Sequence, residues 1–299
     1  MDLFRVRAAV RARVLLSALA VASAAASAKA DPLSAILDHR ATTAGASQSE
    51  GCGLEAEAPP STIEVDGQPR RLIVVLPEAY DAEVPHALVV AFHGRTSPAK
   101  KVRRYYGLER QATRPTVFVY PSGLTDAGRQ TWSGDADPAE ALRDYRLFDA
   151  VIRRLDELYC IDRGRVFAVG HSLGAWFTNS LGCARGDVLR AIGTVAGGIS
   201  GSTCRGQTSA ILLHHPLDRL VPYERAREVL DVLIDRPEEI RRTEVVSHSG
   251  FDCMRFMMPK RLILFCPHGE TRTSAGRIYP HQWPDRAGEA IMRFFEALP

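Results

Sequence analysis

Three side chains that together can make a serine nucleophilic occur in one order along the chain. Ser172 stands at the apex of Gly170-His171-Ser172-Leu173-Gly174, Asp218 closes the run Ala210-Ile-Leu-Leu-His-His-Pro-Leu-Asp218, and His281 lies in Tyr279-Pro280-His281-Gln282-Trp283-Pro284. A serine hydroxyl is a weak nucleophile until an imidazole takes its proton, and the imidazole needs a carboxylate to hold its tautomer. The chemistry these residues suggest is acyl transfer through a serine ester. A Gly-x-Ser-x-Gly pattern is common by itself, so its context matters. Here an apolar run, Val166 to Val169, leads into it and an amphipathic stretch, 175–183, follows. That pattern predicts strand, sharp turn and helix with the serine exposed at the turn. The glycines are needed because side chains two residues before and after a strained apex would collide.

The supporting residues follow from their places around that turn. The Leu173 amide, at the helix start, would face an oxyanion beside Ser172, and the amide of Arg95 or Thr96 in His93-Gly94-Arg95-Thr96 would supply a second donor. His93 is expected to bond within that loop and border the substrate. Asp218 follows a buried strand, where the acid is expected; capping the next turn is its plainer role. His281 is preferred as the base because it immediately precedes the last helix, with His268 on the same loop as the alternative. His248 is expected at the surface, and His171, His214 and His215 as packing or hydrogen-bonding neighbours. Trp132 and Trp283 are candidate walls of a pocket for phenolic or sugar rings, Trp283 at its rim, whereas Trp176 is expected in the core. Lys100, Lys101, Arg103 and Arg104 form a basic run read first as a solvated helix face and second as an attraction for an acidic polysaccharide.

The elements that must position these residues alternate. Strands are expected at Thr62–Val65 and Arg70–Leu76, joined by the turn signal Asp66-Gly67, then at Ala87–Phe92, Thr116–Tyr120, Val166–Val169, Ala191–Ala196, Ala210–His214 and Arg261–Phe265. Helices are expected at 102–113, from Asp137-Pro138 through Leu158, at 175–183, 221–233 and 285–298. Continuous apolar strands alternating with amphipathic helices predict an α/β fold with a mostly parallel sheet covered on both faces.

The 299 residues, 45% of them hydrophobic, can bury one large core. Residues 1–30 read as a secretory signal peptide, with Arg5, Arg7, Arg11 and Arg13 before an apolar run and Ala28-Lys29-Ala30 at the cleavage site. The run, Val14 to Ala28, is shorter than the about 20 residues a spanning helix needs. Residues 31–60 read as an irregular arm held by a disulfide at Cys52, and residues 61–299 as the catalytic domain. The leader carries five Lys or Arg and Asp2, a net of +4, so the whole-chain +3 leaves −1 (3 − 4) for residues 31–299. Neither nucleic acid nor a membrane is an expected partner, and a monomer is expected. The six cysteines, all past residue 31, suggest up to three disulfides in an oxidising compartment, with Cys160–Cys183 as the one pair suggested because both flank the serine turn.

Together, Gly51-Cys52-Gly53, Tyr80-Asp81, Phe92-His93-Gly94, Tyr120-Pro121-Ser122-Gly123, Cys160-Ile-Asp-Arg-Gly-Arg-Val-Phe-Ala168, the serine turn and His281-Gln-Trp-Pro284 resemble the secreted feruloyl esterase and polyhydroxybutyrate depolymerase-like group of α/β hydrolases, over residues 50–298. The resemblance implies the α/β-hydrolase fold and a disulfide-linked serine esterase without metal or cofactor. Its expected substrates are hydroxycinnamate esters of plant cell-wall polysaccharide such as xylan. Depolymerisation of polyhydroxybutyrate, or hydrolysis of acetyl and short-chain polyesters, is the alternative activity, and a non-catalytic secreted binding protein on the same fold is the alternative class. The chain departs from the group in two places: Gly174 is followed by Ala175 where many relatives have glycine, and Arg95-Thr96 stand where glycines are commoner. It also lacks the cysteines beside serine and histidine that mark tannase-like feruloyl esterases.

Overall fold

A computed structural model describes residues 47–95, 97–126, 128–133, 142–200, 204, 208–273 and 275–299. Among these the elements run β1 (Thr62–Val65), β2 (Gln68–Val75), β3 (His86–Phe92), α1 (Ala99–Tyr106), β4 (Thr116–Pro121), β5 (Leu124–Asp126), β6 (Arg129–Thr131), α2 (Arg143–Leu158), β7 (Ile161–His171), α3 (Leu173–Ala184), β8 (Ala191–Val195), β9 (Ser209–His214), α4 (Tyr223–Leu233), β10 (Arg242–His248), β11 (Phe251–Met257), β12 (Leu262–Pro267) and α5 (Ala287–Ala297). The proposed leader, most of the arm and the helix start at Asp137-Pro138 lie outside the described residues.

The main sheet has the order β1-β2-β4-β3-β7-β8-β9-β12-β11-β10. From β4 to β12 neighbouring strands are parallel, and the pairs at both ends are antiparallel. All seven residues of β3 are buried, because successive side chains meet helices on opposite faces. Leu88, Val90 and Phe92 pack with residues of α2, α3 and α4, while Ala87, Val89 and Ala91 pack with α1 and α5. The chain has the α/β-hydrolase architecture expected.

Several elements differ from expectation. The first helix starts at Ala99 and stops at Tyr106, because Gly107 takes φ 63° and breaks it; a 3₁₀ turn, Leu108–Arg110, follows. The hairpin β10–β11 is additional to the expected strands: its first strand, Arg-Thr-Glu-Val-Val-Ser-His, is largely polar and exposed at the sheet edge. The disulfides are Cys52–Cys160, Cys183–Cys204 and Cys253–Cys266, not Cys160–Cys183. The chain path explains the correction: the 11 residues of β7 carry it about 36 Å from Cys160, and the 12 of α3 return it only about 18 Å.

A buried ion pair sets the wall beside the serine turn. Arg70 Nη2 lies 2.6 Å from Asp144 Oδ1, both groups almost wholly buried. The other oxygen of Asp144 accepts from the Ser133 amide at 2.5 Å and from Arg143. Ser133 therefore fixes its neighbour Trp132, whose indole NH donates to His93 O at 2.7 Å.

Candidate active site

Strand β7 ends buried at His171, and the next residue reverses the chain. Ser172 has φ 57° and ψ −123°, a conformation most side chains avoid, and α3 begins at Leu173. Both glycines are required here. A Cβ on Gly170 would lie 2.2 Å from Gly174 O, and one on Gly174 would lie 2.2 Å from Phe92 O. The Ser172 amide donates to Val195 O at 3.0 Å, tying the turn to β8.

The structure brings the three sequence-selected side chains together. Ser172 Oγ is 2.7 Å from His281 Nε2, and His281 Nδ1 is 2.6 Å from Asp218 Oδ2. A carboxylate only accepts, so Nδ1–H donates to Asp218 and Nε2 is left to accept the serine proton. Asp218 Oδ1 takes the amides of Leu220 at 2.8 Å and Val221 at 3.1 Å. Burial raises the Asp218 carboxyl, but the His281 hydrogen bond and these amides outweigh it, and the group titrates below its usual range. Serine, acid and histidine come from the ends of β7 and β9 and from the segment before α5. The carboxyl ends of parallel strands are where an open α/β sheet offers a crevice.

Two neighbours complete the frame. His171 Nε2–H donates to His281 O at 2.9 Å, and its Nδ1 lies 3.2 Å from Tyr105 Oη. Burial lowers His171 to about 3, so it stays neutral. Gln282 Nε2 donates to Glu270 O and Arg272 O at 3.0 and 2.7 Å, holding the loop that carries His281. No spacing or motif points to Tyr105, which lies on a different element, α1. His214 donates to Val221 O at 2.8 Å, and the Leu217 amide donates to His215 Nδ1 at 2.9 Å, so both are neighbours as expected. His248, on the edge strand β10, is half-buried, with Nε2 2.8 Å from Ala290 O.

Gly94 packs against the serine turn, where a Cβ would be 3.2 Å from His171 O and 3.4 Å from Ser172 Cβ. Arg95 follows it, exposed, and Leu173 opens α3 half-buried; Thr96 lies outside the described residues. The expected pocket aromatics are corrected. His93 is wholly buried, its Nδ1 2.9 Å from Gly94 O and its Nε2 accepting the Gly123 amide at 2.8 Å. Trp132 is buried between His93 and Phe177, and Trp283 is stacked on Tyr106 with centroids 4.0 Å apart. Neither His93 nor Trp132 offers a face to a substrate, and Trp283 has almost none left. Trp176, expected in the core, is instead the half-exposed tryptophan. It stands one turn after Ser172, with its ring against Gly198, where a Cβ would approach to 2.6 Å.

Among the described residues, no group of three or more His, Cys, Asp or Glu side chains is arranged to hold a metal, and no helix is long and apolar enough to cross a membrane.

The chain is similar to known esterases in fold and in sequence. The fold matches a CE1 ferulic acid esterase from Anaeromyces mucronatus solved with ferulic acid, with a TM-score of 0.52 at 16% identity, covering 80% of this chain and 90% of that one. In sequence, the chain is 28% identical over 201 residues to a probable feruloyl esterase C of Aspergillus terreus, covering 64% of this chain and 70% of the relative. It is 30% identical over 202 residues to that of Aspergillus clavatus, with the same coverage. No family model matches. The protein is thus a carboxylic-ester hydrolase of the α/β-hydrolase class. Within that class the chain belongs to the feruloyl esterase family.

Proposed function

We propose that this protein is a secreted feruloyl esterase that releases hydroxycinnamates from plant cell-wall polysaccharide, with Ser172 as nucleophile, His281 as base and Asp218 as the acid that orients it. The observation carrying the reading is the continuous hydrogen-bond chain Ser172 Oγ–His281–Asp218, at 2.7 and 2.6 Å, on a serine with φ 57°. As Ser172 Oγ bonds to the ester carbonyl carbon, its proton passes to His281 Nε2. The tetrahedral oxyanion is held by the amides of Leu173 and Arg95 or Thr96, each worth about 3 kcal/mol. Collapse breaks the bond to the sugar oxygen, which leaves with the proton from His281, and feruloyl-Ser172 remains. Water, deprotonated by His281, then attacks the acyl-enzyme and releases ferulate while Ser172 recovers its proton. Asp218 stays ionised throughout. The leader-like residues 1–30 and the three disulfides support export.

The test is hydrolysis of methyl ferulate, p-nitrophenyl acetate and a hydroxybutyrate oligomer by residues 31–299 and by the Ser172→Ala variant. Ferulate release should be serine-dependent, falling about 10⁴-fold or more in the variant. Turnover of only the acetate or the oligomer would replace the cell-wall reading with one of the other ester substrates, and no turnover at all would favour a binding protein.

A further inference from the structure

Helix α1 and the turn after it carry a charge that the rest of the chain does not account for. Between Ala99 and Gln111 stand Lys100, Lys101, Arg103, Arg104 and Arg110 against Glu109 alone, a net of +4 (5 − 1), whereas residues 31–299 together sum to −1. The apolar positions Ala99, Val102 and Tyr106 are buried against the sheet, so the cations occupy the outer side, with Lys100 and Arg104 one turn apart on one face.

Those cations surround a concavity. Glu109 takes the Arg103 guanidinium at 2.7 and 2.8 Å and also accepts from Tyr120 Oη at 3.0 Å, which fixes the floor. Gly107 ends the helix, and the returning Arg110 lies so close that a Cβ on Gly107 would be 2.6 Å from its Nη2. The result is a cleft of about 300 Å³ lined by Lys100, Arg103, Arg104, Gly107, Glu109 and Arg110, at the lower end of volumes that hold small ligands. The one carboxylate of the cleft is already engaged by Arg103. Among the described residues, Lys100, Lys101, Arg104 and Arg110 form no ion pair. The same helix reaches the candidate active site, where Tyr105 meets His171 and Tyr106 stacks on Trp283. From Lys100 to Tyr105 the helix rises only about 7.5 Å.

We propose that this cleft is a second substrate site, which holds the carboxylate of an acidic polysaccharide while the ester of the same chain enters at Ser172. The proposal rests on the feruloyl esterase reading for its substrate class. Guanidinium groups grip a carboxylate through paired N–H donors, and the lysine adds a mobile point charge. The near-neutral sum of residues 31–299 does not suit the long charged surface of nucleic acid. Because the cations are exposed, they act on binding of the polymer and not on the chemical step, so KM responds and kcat does not.

The test uses the triple variant Lys100→Gln, Arg104→Gln, Arg110→Gln and two polymers: feruloylated glucuronoxylan, and the same polymer with its carboxyl groups reduced to alcohols. The wild type should show a KM for the acidic polymer about tenfold below that for the reduced one, with the difference fading at high salt. The triple variant should show no difference, with kcat and methyl ferulate hydrolysis unchanged. Affinity electrophoresis through unferuloylated glucuronoxylan reads the cleft without catalysis: the wild type should be retarded and the triple variant should not. Equal retardation of both proteins, or equal KM for both polymers in the wild type, would overturn the proposal. Carboxylate-dependent retardation without ferulate release from methyl ferulate would uphold the cleft and reject the feruloyl esterase reading instead.

Discussion

His281 and His268 lie on the same segment between the last strand and the last helix, 13 positions apart (281 − 268), and both are buried. His281 has each ring nitrogen engaged, Nδ1 by Asp218 and Nε2 by Ser172. His268 has neither. Its ring meets His215 edge-on at 5.3 Å, and the Nε2 of that partner is also without a hydrogen bond. Burial, with His215 and His214 nearby, lowers His268 to about 3. A buried histidine beside a catalytic carboxylate is therefore not enough to move protons. The carrier needs one nitrogen held by an acceptor and the other aimed at the hydroxyl, and of these two histidines His281 meets both conditions.

Turnover should separate the two histidines most strongly. His281→Ala should lower kcat for a feruloyl ester by about 10⁴-fold or more, while His268→Ala should leave it within about tenfold; steady-state kinetics showing the reverse would exchange their roles. Asp218→Asn should come next, with a loss of about 10⁴-fold, because an amide at that position favours the wrong imidazole tautomer. A rate near that of the wild type would show that Asp218 does not orient His281.

The smallest effect is on stability, and its sign follows from the titration. His268 binds its proton only near pH 3 when folded, but near pH 6.5 when unfolded. Between those values the unfolded chain holds a proton that the folded one lacks, so this residue's stabilising contribution is complete above about 6.5 and is lost as pH falls towards 3. Urea midpoints measured at pH 7 and pH 4 should therefore drop less in His268→Gln than in the wild type. Equal drops would show that the buried imidazole is not what the acid attacks.

The parts of this molecule that could be read in its sequence are those set by local sterics and by chain order. Gly170 and Gly174 announce the serine turn because no side chain fits there. The runs at 87–92 and 210–214 announce buried strands because both their faces are covered. Asp218 and His281 follow from the succession of strands. What could not be read depends on distance in space. The cysteine pairing is decided by how far β7 and α3 carry the chain. The exchange of roles between Trp283 and Trp176 is decided by Tyr106, which covers the first, and by Gly198, which gives the second ring a place at the surface. The hydrogen bond from Tyr105 to His171 joins residues 66 positions apart, and no spacing rule relates them.

The most direct test of the Ser172–His281 pair is to treat the protein with a fluorophosphonate and map the modified peptide by mass spectrometry, in the wild type and in His281→Ala. A single adduct on Ser172 is expected in the wild type, with labelling slowed by orders of magnitude in the variant. An adduct on another residue, or equally fast labelling of both proteins, would contradict the assignment of Ser172 as a nucleophile activated by His281.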